Sequence, residues 1–401
     1  MPAEPQAYPL SDITVIDLGQ IYQGPYATFL LAMAGAKVIK VEPPGGEPIR
    51  ARAKVARGSL PLAMLNSNKQ GITLNLKTPR GCALLIEMVK RADVLLENYA
   101  PGVLDRLGVG AEVLMAANPR LIYASGSGYG RSGPKRDFLA MDLTVQAIGG
   151  VMSVTGEPDG SPLKAGPAIA DFLGGIHLYG GITTALYERS RTGRGRVVEV
   201  AMMEAIYPSL ASNLGMHYWS EGTLTARTGN RHGGLAMAPY NVYRAKDGHV
   251  AVICVTEEHW KSLARVMGRE DLIADPRYEN HTTRAKIMDE VDALVSAWTA
   301  TLTKDEIAEI AKARKIPAAP VRDLTEVTND PHMHERGMLS WMDHPELGRV
   351  VLPNSPIRYD GTSPMPLVPS PELGQHNRDV YCGWLGLGEA EFDGLRKEGV
   401  I

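Results

Sequence analysis

The sequence predicts an α/β protein built around a parallel, doubly wound sheet, with a second, smaller α+β domain. The first 130 residues alternate between short runs of Val, Ile and Leu and segments with helical spacing of apolar residues. That order is typical of parallel strands joined by helices. After residue 224 the pattern changes to a hairpin signal followed by helical segments. Open parallel sheets bind ligands beyond the carboxyl ends of their strands, so the chemistry is expected there.

Short apolar runs predict six strands in the first half of the chain, at 13–18, 37–42, 71–76, 93–98, 121–125 and 197–200. Pro25 is well placed at a helix start, which predicts a helix over 26–34 that ends at Gly35. Apolar residues at helical spacing predict a second helix within 79–92. The region 142–187 is mostly helical in pattern, and a long helix is expected from 202 to about 219.

The second half begins with a stretch rich in glycine and small residues, 225–239. Asp247-Gly248 marks a hairpin turn, and three helical segments follow it. The predicted layout is a large domain over 1–200, a linker helix over 201–224, a small domain over 225–325, a linker over 326–360 and a C-terminal part, 361–401, that packs on the large domain.

Composition narrows the class of protein. The 401 residues carry 42 basic and 45 acidic side chains, a net charge of −3, which argues against a general nucleic-acid or membrane-surface binder. There is no run of about 18 apolar residues, and the N-terminus lacks the pattern of a secretory signal. We expect a cytoplasmic enzyme with neither nucleic-acid nor membrane partners.

Several kinds of site are not expected from the residues. Cys82, Cys254 and Cys382 form no CxxC pair, and His332-Met-His334 is the one close histidine pair, so neither a disulfide framework nor a metal site is predicted. The sequence has no P-loop and no GxSxG elbow. Gly126-Ser-Gly-Tyr-Gly follows a predicted strand and is either a glycine-rich nucleotide loop or a turn of small residues.

Two aspartates in apolar, glycine-rich surroundings remain as candidates for chemistry. Asp171 lies in Ala168-Ile-Ala-Asp-Phe-Leu-Gly-Gly, ahead of a long helical run, and Asp142 lies in Ala140-Met-Asp-Leu-Thr. An acid at a helix start either caps the helix or is kept there for reaction, and the residues alone leave both open.

A series of motifs then identifies a family. They are Val15-Ile-Asp-Leu with Gly24-Pro25, Gly35-Ala-Lys-Val-Ile-Lys-Val-Glu-Pro, Asn66-Ser-Asn-Lys, Glu97-Asn-Tyr-Ala-Pro-Gly, Ala170-Asp-Phe-Leu-Gly-Gly and Arg191-Thr-Gly-Arg-Gly. Each is weak alone, but in this order they are specific. Nearly end to end, the chain resembles the class III CoA-transferases, a group that includes formyl-CoA transferase, carnitine CoA-transferases and α-methylacyl-CoA racemase. The resemblance implies a Rossmann-like large domain made from both chain ends, and a homodimer of two interlocked rings.

The resemblance also implies an activity and its residues. CoA would move from an acyl-CoA thioester to a small carboxylic acid, with no permanently bound cofactor. Asp171 matches the family's catalytic aspartate, whose carboxylate attacks the thioester to give a mixed anhydride and then an aspartyl-CoA thioester. Asp142 is a second candidate catalytic residue. Gly233 and Gly234 match a glycine-rich segment over the active site, although a flexible interdomain link is the alternative.

The CoA site carries over in part. The positions that match CoA contacts or CoA-lining segments in relatives are Leu74, Lys77, Asn98, Tyr99 and Arg106. The alternative for Tyr99 is an aromatic residue of the core. Several relatives have a glutamine near the thioester where this chain has Tyr22, with Gln23 one residue on. Pro43 stands where some relatives have an arginine for a CoA phosphate.

Two other functions compete with the transferase. The α-methylacyl-CoA racemases have a histidine directly before the aspartate that aligns with Asp142; here that residue is Met141, which cannot carry a proton. A non-catalytic acyl-CoA binder is disfavoured by the presence of Asp171. Arg227, Arg231 and His232 either anchor a second carboxylate of the acceptor or are solvated loop charges. A small polar or dicarboxylic acid is the preferred acceptor, and succinyl-CoA or acetyl-CoA the preferred donor.

Overall fold

The computed structural model describes residues 7–224 and 226–401. Residues 1–6 and Thr225, where the sequence analysis starts the small domain, lie outside the described residues. The chain divides into two compact units, which are described separately. Of the described residues, the first comprises 7–146, 167–206 and 330–401, and the second comprises 147–166, 207–224 and 226–329. The segment 147–166 therefore belongs to the second unit, whereas the sequence analysis assigned it to the large domain.

The first unit is built on a six-stranded sheet in which every neighbouring pair is parallel. Its strands are β1 (Thr14–Asp17), β2 (Lys37–Glu42), β3 (Gln70–Thr73), β4 (Val94–Glu97), β5 (Ile122–Ser127) and β6 (Val197–Ala201). Their order across the sheet is β3-β2-β1-β4-β5-β6. The direction of winding reverses between β1 and β4, and in this Rossmann-like order a crevice opens where the loops after those two strands part.

Helices cover both faces of this sheet, which explains why successive residues of β1, β2 and β4 are buried whichever face they point to. On one face Ile16, Ile39 and Leu95 pack with the helix Pro79–Val89 and with C-terminal residues such as Phe392. On the other face the strands pack with two further helices. These are Gln23–Met33 and Ile169–Thr192.

The remaining elements of the first unit are short. Its other α-helices are Leu60–Asn66, Val103–Arg106, Ala111–Ala117, Met202–Ile206, Pro331–Glu335 and Glu389–Lys397, and Asp142–Ile148 ends just beyond its boundary. A 3₁₀ turn spans Pro48–Ala51 and a π-helix spans Asp379–Trp384. Lys54–Val55 pairs with Gly58–Ser59 in a small ribbon.

The second unit has a three-stranded antiparallel sheet with helices around it. Its strands are β7 (Tyr240–Ala245), β8 (Gly248–Ile253) and β9 (Ala318–Pro320), with β8 in the centre. Its α-helices are Val151–Val154, Ala211–Trp219, Glu257–Val266, Asp271–Ala274, His281–Ala285, Met288–Thr299, Lys304–Arg314 and Leu324–Thr328. 3₁₀ turns span Tyr207–Leu210 and Pro276–Tyr278. The predicted hairpin with Asp247-Gly248 at its turn is confirmed.

Two details differ from the sequence analysis. The predicted helix over 202–219 is interrupted, because Pro208 has no N–H to donate and its ring disfavours a continuous helix; the structure has Met202–Ile206, a 3₁₀ turn and then Ala211–Trp219. The stretch 326–360, predicted as a linker, contains a hairpin of β10 (Leu339–His344) and β11 (Gly348–Pro353). Its Pro-containing flanks concealed the short strands between them.

Candidate active site

Asp171 lies in the first turn of the helix Ile169–Thr192 and is 9% exposed. Burial, followed by the negative charge of Asp142, raises the pKa of the Asp171 carboxyl from 3.8 to about 7, while the backbone N–H of Gln23, which donates to it, acts in the opposite direction. The N-cap of the helix is Ala168, so Asp171 does not cap its own helix. The capping alternative for Asp171 is therefore wrong. A buried carboxyl with a strongly raised pKa at the edge of a parallel sheet is a typical functional group.

Asp142 performs the capping that the sequence left open between the two aspartates. Its Oδ1 accepts hydrogen bonds from the backbone N–H groups of Ala170 at 2.8 Å and Asp171 at 3.3 Å. Its Oδ2 accepts from Gln146 Nε2 at 2.6 Å. Asp142 thus satisfies N–H groups at the start of the helix Ile169–Thr192 and places a second negative charge beside the first aspartate.

The side chain of Gln23 fills a space that two glycines leave open, and a third glycine lies against its backbone. A Cβ on Gly126 would lie 2.7 Å from Gln23 Oε1, and a Cβ on Gly174 would lie 2.8 Å from Gln23 Nε2. A Cβ on Gly175 would lie 2.8 Å from the Gln23 carbonyl oxygen. Gln23 is 2% exposed, and within residues 7–224 and 226–401 its Nε2 is buried without a hydrogen-bond partner. An unpaired buried donor is costly, so this amide is a candidate to bind a group of the substrate.

Aromatic rings surround this point. Tyr22 stacks on Phe172 with ring centroids 6.0 Å apart, and Tyr26 meets the same ring edge-on at 4.8 Å. Tyr22, predicted near the thioester, is half-buried at the start of the helix Gln23–Met33. Gly126 and Gly174 were not predicted as parts of this site. The sequence signal for them was the GxG pattern at the end of β5 and the paired glycines after Asp171.

Two predicted CoA contacts hold the loop after β1. The Asn98 amide accepts from the Gln20 N–H at 2.7 Å and donates to the Gln20 carbonyl at 3.0 Å. The Tyr99 hydroxyl is hydrogen-bonded to the Gln20 side chain, and burial raises the pKa of this hydroxyl despite that bond. Tyr99 also packs on the apolar core, which agrees with the alternative prediction that it is a core aromatic residue.

The other three predicted CoA positions differ in exposure. The Leu74 side chain is 2% exposed and belongs to the core, so only its backbone is available to a ligand. Lys77 and Arg106 are exposed, and among the described residues neither side chain makes a hydrogen bond or an ion pair. Both cations are thus available to phosphate groups.

The glycine-rich segment lies in the second unit. The N–H of Gly234 donates to His232 Nδ1 at 3.1 Å, and a Cβ on Gly233 would lie 2.7 Å from the Asn213 amide. Arg231 pairs with Asp289 at 2.6 Å and with Asp292 at 2.7 Å.

Arg227 of the same segment donates to the carbonyls of Glu157, Pro158 and Gly160. Both arginines considered as acceptor anchors therefore have partners within their own unit.

Two further properties bear on the expected class. In the part of the chain that the structure describes, no helix combines the length and apolarity needed to cross a bilayer. Over the same residues no group of three or more His, Cys, Asp or Glu side chains is arranged to hold a metal ion.

The fold is that of an α/β protein, and its candidate site contains a buried aspartate whose pKa is strongly raised. The model of CoA-transferase family III matches residues 10–377. The chain is 39% identical to formyl-CoA:oxalate CoA-transferase of Streptomyces avermitilis, over 98% of this chain and 99% of that protein. It is 39% identical to acetyl-CoA:oxalate CoA-transferase of Acetobacter aceti, over 90% of this chain and 91% of that protein. The crystal structure of a CaiB/BaiF family protein from Brucella suis superposes with a TM-score of 0.82 at 32% identity, covering 94% of this chain and all of that one.

The chain belongs to CoA-transferase family III, and it is a transferase that moves CoA between acids. This confirms the family, the activity and the parallel α/β core predicted from the sequence. The relatives are named as transferases, so the racemase alternative is not favoured. Met141, which replaces the histidine of the racemases, is 57% exposed.

Proposed function

We propose that this enzyme transfers CoA from an acyl-CoA to oxalate or a similarly small dicarboxylic acid, with Asp171 as the nucleophile. The observation that carries the proposal is the burial of the Asp171 carboxylate at the crevice of the sheet, next to the unpaired Gln23 amide. The choice of acceptor is supported by the names of two relatives that act on oxalate. Formyl-CoA and acetyl-CoA are the donors in those names, and succinyl-CoA was a default of the sequence analysis.

The proposed reaction balances without water or a cofactor. An oxygen of the Asp171 carboxylate attacks the thioester carbonyl, the C–S bond breaks, and a mixed anhydride and CoA thiolate result. The thiolate attacks the aspartyl carbonyl of the anhydride, which releases the donor acid as a carboxylate and leaves an aspartyl-CoA thioester. The acceptor carboxylate then attacks this thioester and expels the thiolate. Attack of the thiolate on the acceptor's acyl carbon forms the new acyl-CoA and restores Asp171.

Specific residues support these steps. Burial of Asp171 keeps water from the anhydride and makes its carboxylate a poorly solvated, reactive base. The Gln23 amide is the proposed donor to the oxyanion that develops on the thioester carbonyl. Lys77 and Arg106 are proposed to bind phosphates of CoA. The role of Gly233 and Gly234 stays a prediction from the resemblance. As the resemblance implies, we propose an interlocked homodimer that works in the cytoplasm.

The test is to trap the covalent intermediate. The protein is incubated with formyl-, acetyl- and succinyl-CoA, quenched with hydroxylamine, and digested for mass spectrometry. A hydroxamate on the peptide that contains Asp171 is expected, and it should be absent in Asp171→Ala. Asp393→Asn, which changes an exposed aspartate on the helix Glu389–Lys397, is the matched control and should label normally. Turnover without any trapped aspartyl adduct would contradict Asp171 as the nucleophile.

A further inference from the structure

The backbone of the loop after β1, residues 19–21, is hydrogen-bonded to side chains from Gly19 onward. The Gly19 N–H donates to Asp17 Oδ1 at 2.8 Å, and the Gly19 carbonyl accepts from Lys40 Nζ. Asp17 itself is buried and paired with Lys69 at 2.9 Å. Backbone groups in loops are usually satisfied by water, so side chains that reach in from β2 and from the strand itself mark a constrained segment.

The next three backbone groups along the chain are held in the same way. The Asn98 amide binds both the N–H and the carbonyl of Gln20. The Ile21 N–H donates to Glu47 Oε2 at 2.8 Å. Five consecutive backbone polar groups, from the Gly19 N–H to the Ile21 N–H, are therefore bonded to side chains from other parts of the first unit.

Two of these side chains form a buried ion pair. Lys40 Nζ and Glu47 Oε1 are 2.6 Å apart, and each side chain is 1% exposed. Removing charges from water is costly unless they are paired and hydrogen-bonded. A buried pair whose two members each bind the backbone of one short loop fixes that loop by hydrogen bonds that water does not compete for.

The loop needs this support because its backbone is unusual. Ile21 has a φ of +64°, in the left-handed region that branched side chains strongly disfavour. Such conformations persist where the surrounding structure over-determines them, and they cluster at functional sites. Two residues further on, Gln23 lies against the helix that carries Asp171: a Cβ on Gly174 would lie 2.8 Å from its Nε2, and a Cβ on Gly175 would lie 2.8 Å from its carbonyl oxygen. The backbone of Gln23 also lowers the pKa of the Asp171 carboxyl.

We propose that Asn98, Glu47 and Lys40 are positioning residues, which hold the loop 19–21 in its left-handed turn so that Gln23 keeps its place against the helix Ile169–Thr192, beside the nucleophile. The proposal rests on the proposed function, because it assigns these side chains to the nucleophile's orientation. It departs from the expectation that Asn98 contacts CoA, since both ends of its amide are bonded to Gln20. Among the described residues, the groups besides burial that shift the pKa of Asp171 are Asp142, which raises it, and the backbone of Gln23, which lowers it.

Two measurements test it on the intact enzyme, one of them independent of turnover. The Asp171 carboxyl is titrated by ¹³C NMR in aspartate-labelled protein, with its signal identified by its loss in Asp171→Asn. CoA binding is measured by calorimetry. Asn98→Ala and Glu47→Ala release the loop, so the titration midpoint of Asp171 should rise. The rate of adduct formation with acetyl-CoA should fall about tenfold or more, because that is the effect of losing one hydrogen bond to a charged group. CoA affinity should stay within about twofold.

The control is Asn118→Ala, because Asn118 likewise binds backbone carbonyls, those of Val89 and Ala92, but lies before β5 at the amino ends of the strands. It should alter neither the midpoint nor the rate. Adding Ile21→Gly to Asn98→Ala should restore part of the rate, since glycine adopts this φ without strain. That rescue separates positioning from a general loss of folding.

The outcomes are distinct. An unchanged midpoint in both variants overturns the proposal, and a CoA affinity that falls tenfold in Asn98→Ala with an unchanged midpoint makes Asn98 a CoA contact instead. If the wild-type protein forms no adduct at Asp171, the proposed function fails, but the titration still decides whether the loop positions the carboxyl.

Discussion

Asp171 is expected to destabilise the folded protein at neutral and alkaline pH, and Asp171→Asn should remove that cost. The pKa of its carboxyl rises from 3.8 to about 7 on folding, first because the group is buried and second because Asp142 is nearby. The folded state therefore binds this proton more tightly than the unfolded state does. As pH rises above the unfolded pKa, the unfolded chain ionises first, and stability is progressively lost until the folded carboxyl ionises as well.

The size of the effect follows from the shift. At 1.36 kcal/mol for each unit of pKa, a rise from 3.8 to about 7 corresponds to about 4 kcal/mol. The group is only 9% exposed, so little of this is lost to solvent screening. Asparagine keeps the shape and an acceptor for the Gln23 N–H but never ionises. The variant should match the wild type below about pH 4 and exceed its stability by about 4 kcal/mol above about pH 7.

Urea unfolding of both proteins across this range, from about pH 4.5 to about pH 8, measures the difference. Asp393→Asn, an exposed aspartate, is the control and should show no such pH dependence. A stability difference that does not change with pH would refute the raised pKa, and a variant less stable than the wild type at about pH 8 would refute the argument that ionisation of this buried group is costly.

Three further predictions concern the site and its surroundings. Asp142→Asn should move the pH midpoint of nucleophile labelling downward, because it removes a negative charge but keeps an acceptor for the helix N–H groups; the pH dependence of adduct formation checks this. Gly174→Ala should lower turnover about tenfold or more, since its Cβ would meet the Gln23 amide at 2.8 Å, whereas Gly180→Ala on the same helix, with nothing within 4 Å, should leave kcat unchanged. Arg231→Met should lower the thermal midpoint by a few degrees through loss of its two carboxylate partners, with KM for oxalate unchanged if its role is structural; steady-state kinetics on the variant would contradict this if KM rises.

Most of the sheet was predictable because its strands are short segments rich in Val, Ile and Leu, separated by helical segments and by glycine or proline. β2 was predicted with its observed bounds, and the others lie within a few residues of prediction. The strand order was not predictable from pattern, since periodicity does not say which strands pair, and neither was the place of 147–166 in the second unit. The hairpin of β10 and β11 was missed because prolines on either side made the stretch resemble a linker.

The residues of the candidate site were likewise predictable only in part. Asp171 was predicted as the catalytic aspartate from the order of the family motifs along the chain, because its local sequence alone left a helix cap as an alternative. The space around Gln23 was not found, because it depends on the end of β5 and the first turns of a helix 48 residues later, Gly126 and Gly174, meeting one side chain. Nothing local to either glycine encodes that contact. The engagement of Asn98 with Gln20 has the same origin, since two loops 78 residues apart are joined by the parallel pairing of β1 and β4.

Burial serves two opposed needs at this aspartate. In the proposed mechanism, burial makes the carboxylate a stronger nucleophile toward the thioester and keeps water from the anhydride, but the same burial raises its pKa to about 7 and leaves much of it protonated at neutral pH. Asp142 adds to that rise while it satisfies the helix N–H groups. The backbone hydrogen bond from Gln23 lowers the pKa of the Asp171 carboxyl. In the proposal above, the position of Gln23 depends on a strained loop that is held by buried ion pairs. Under the proposal above, Asn98, Glu47 and Lys40 act through this loop on the fraction of enzyme that is ready to react at neutral pH.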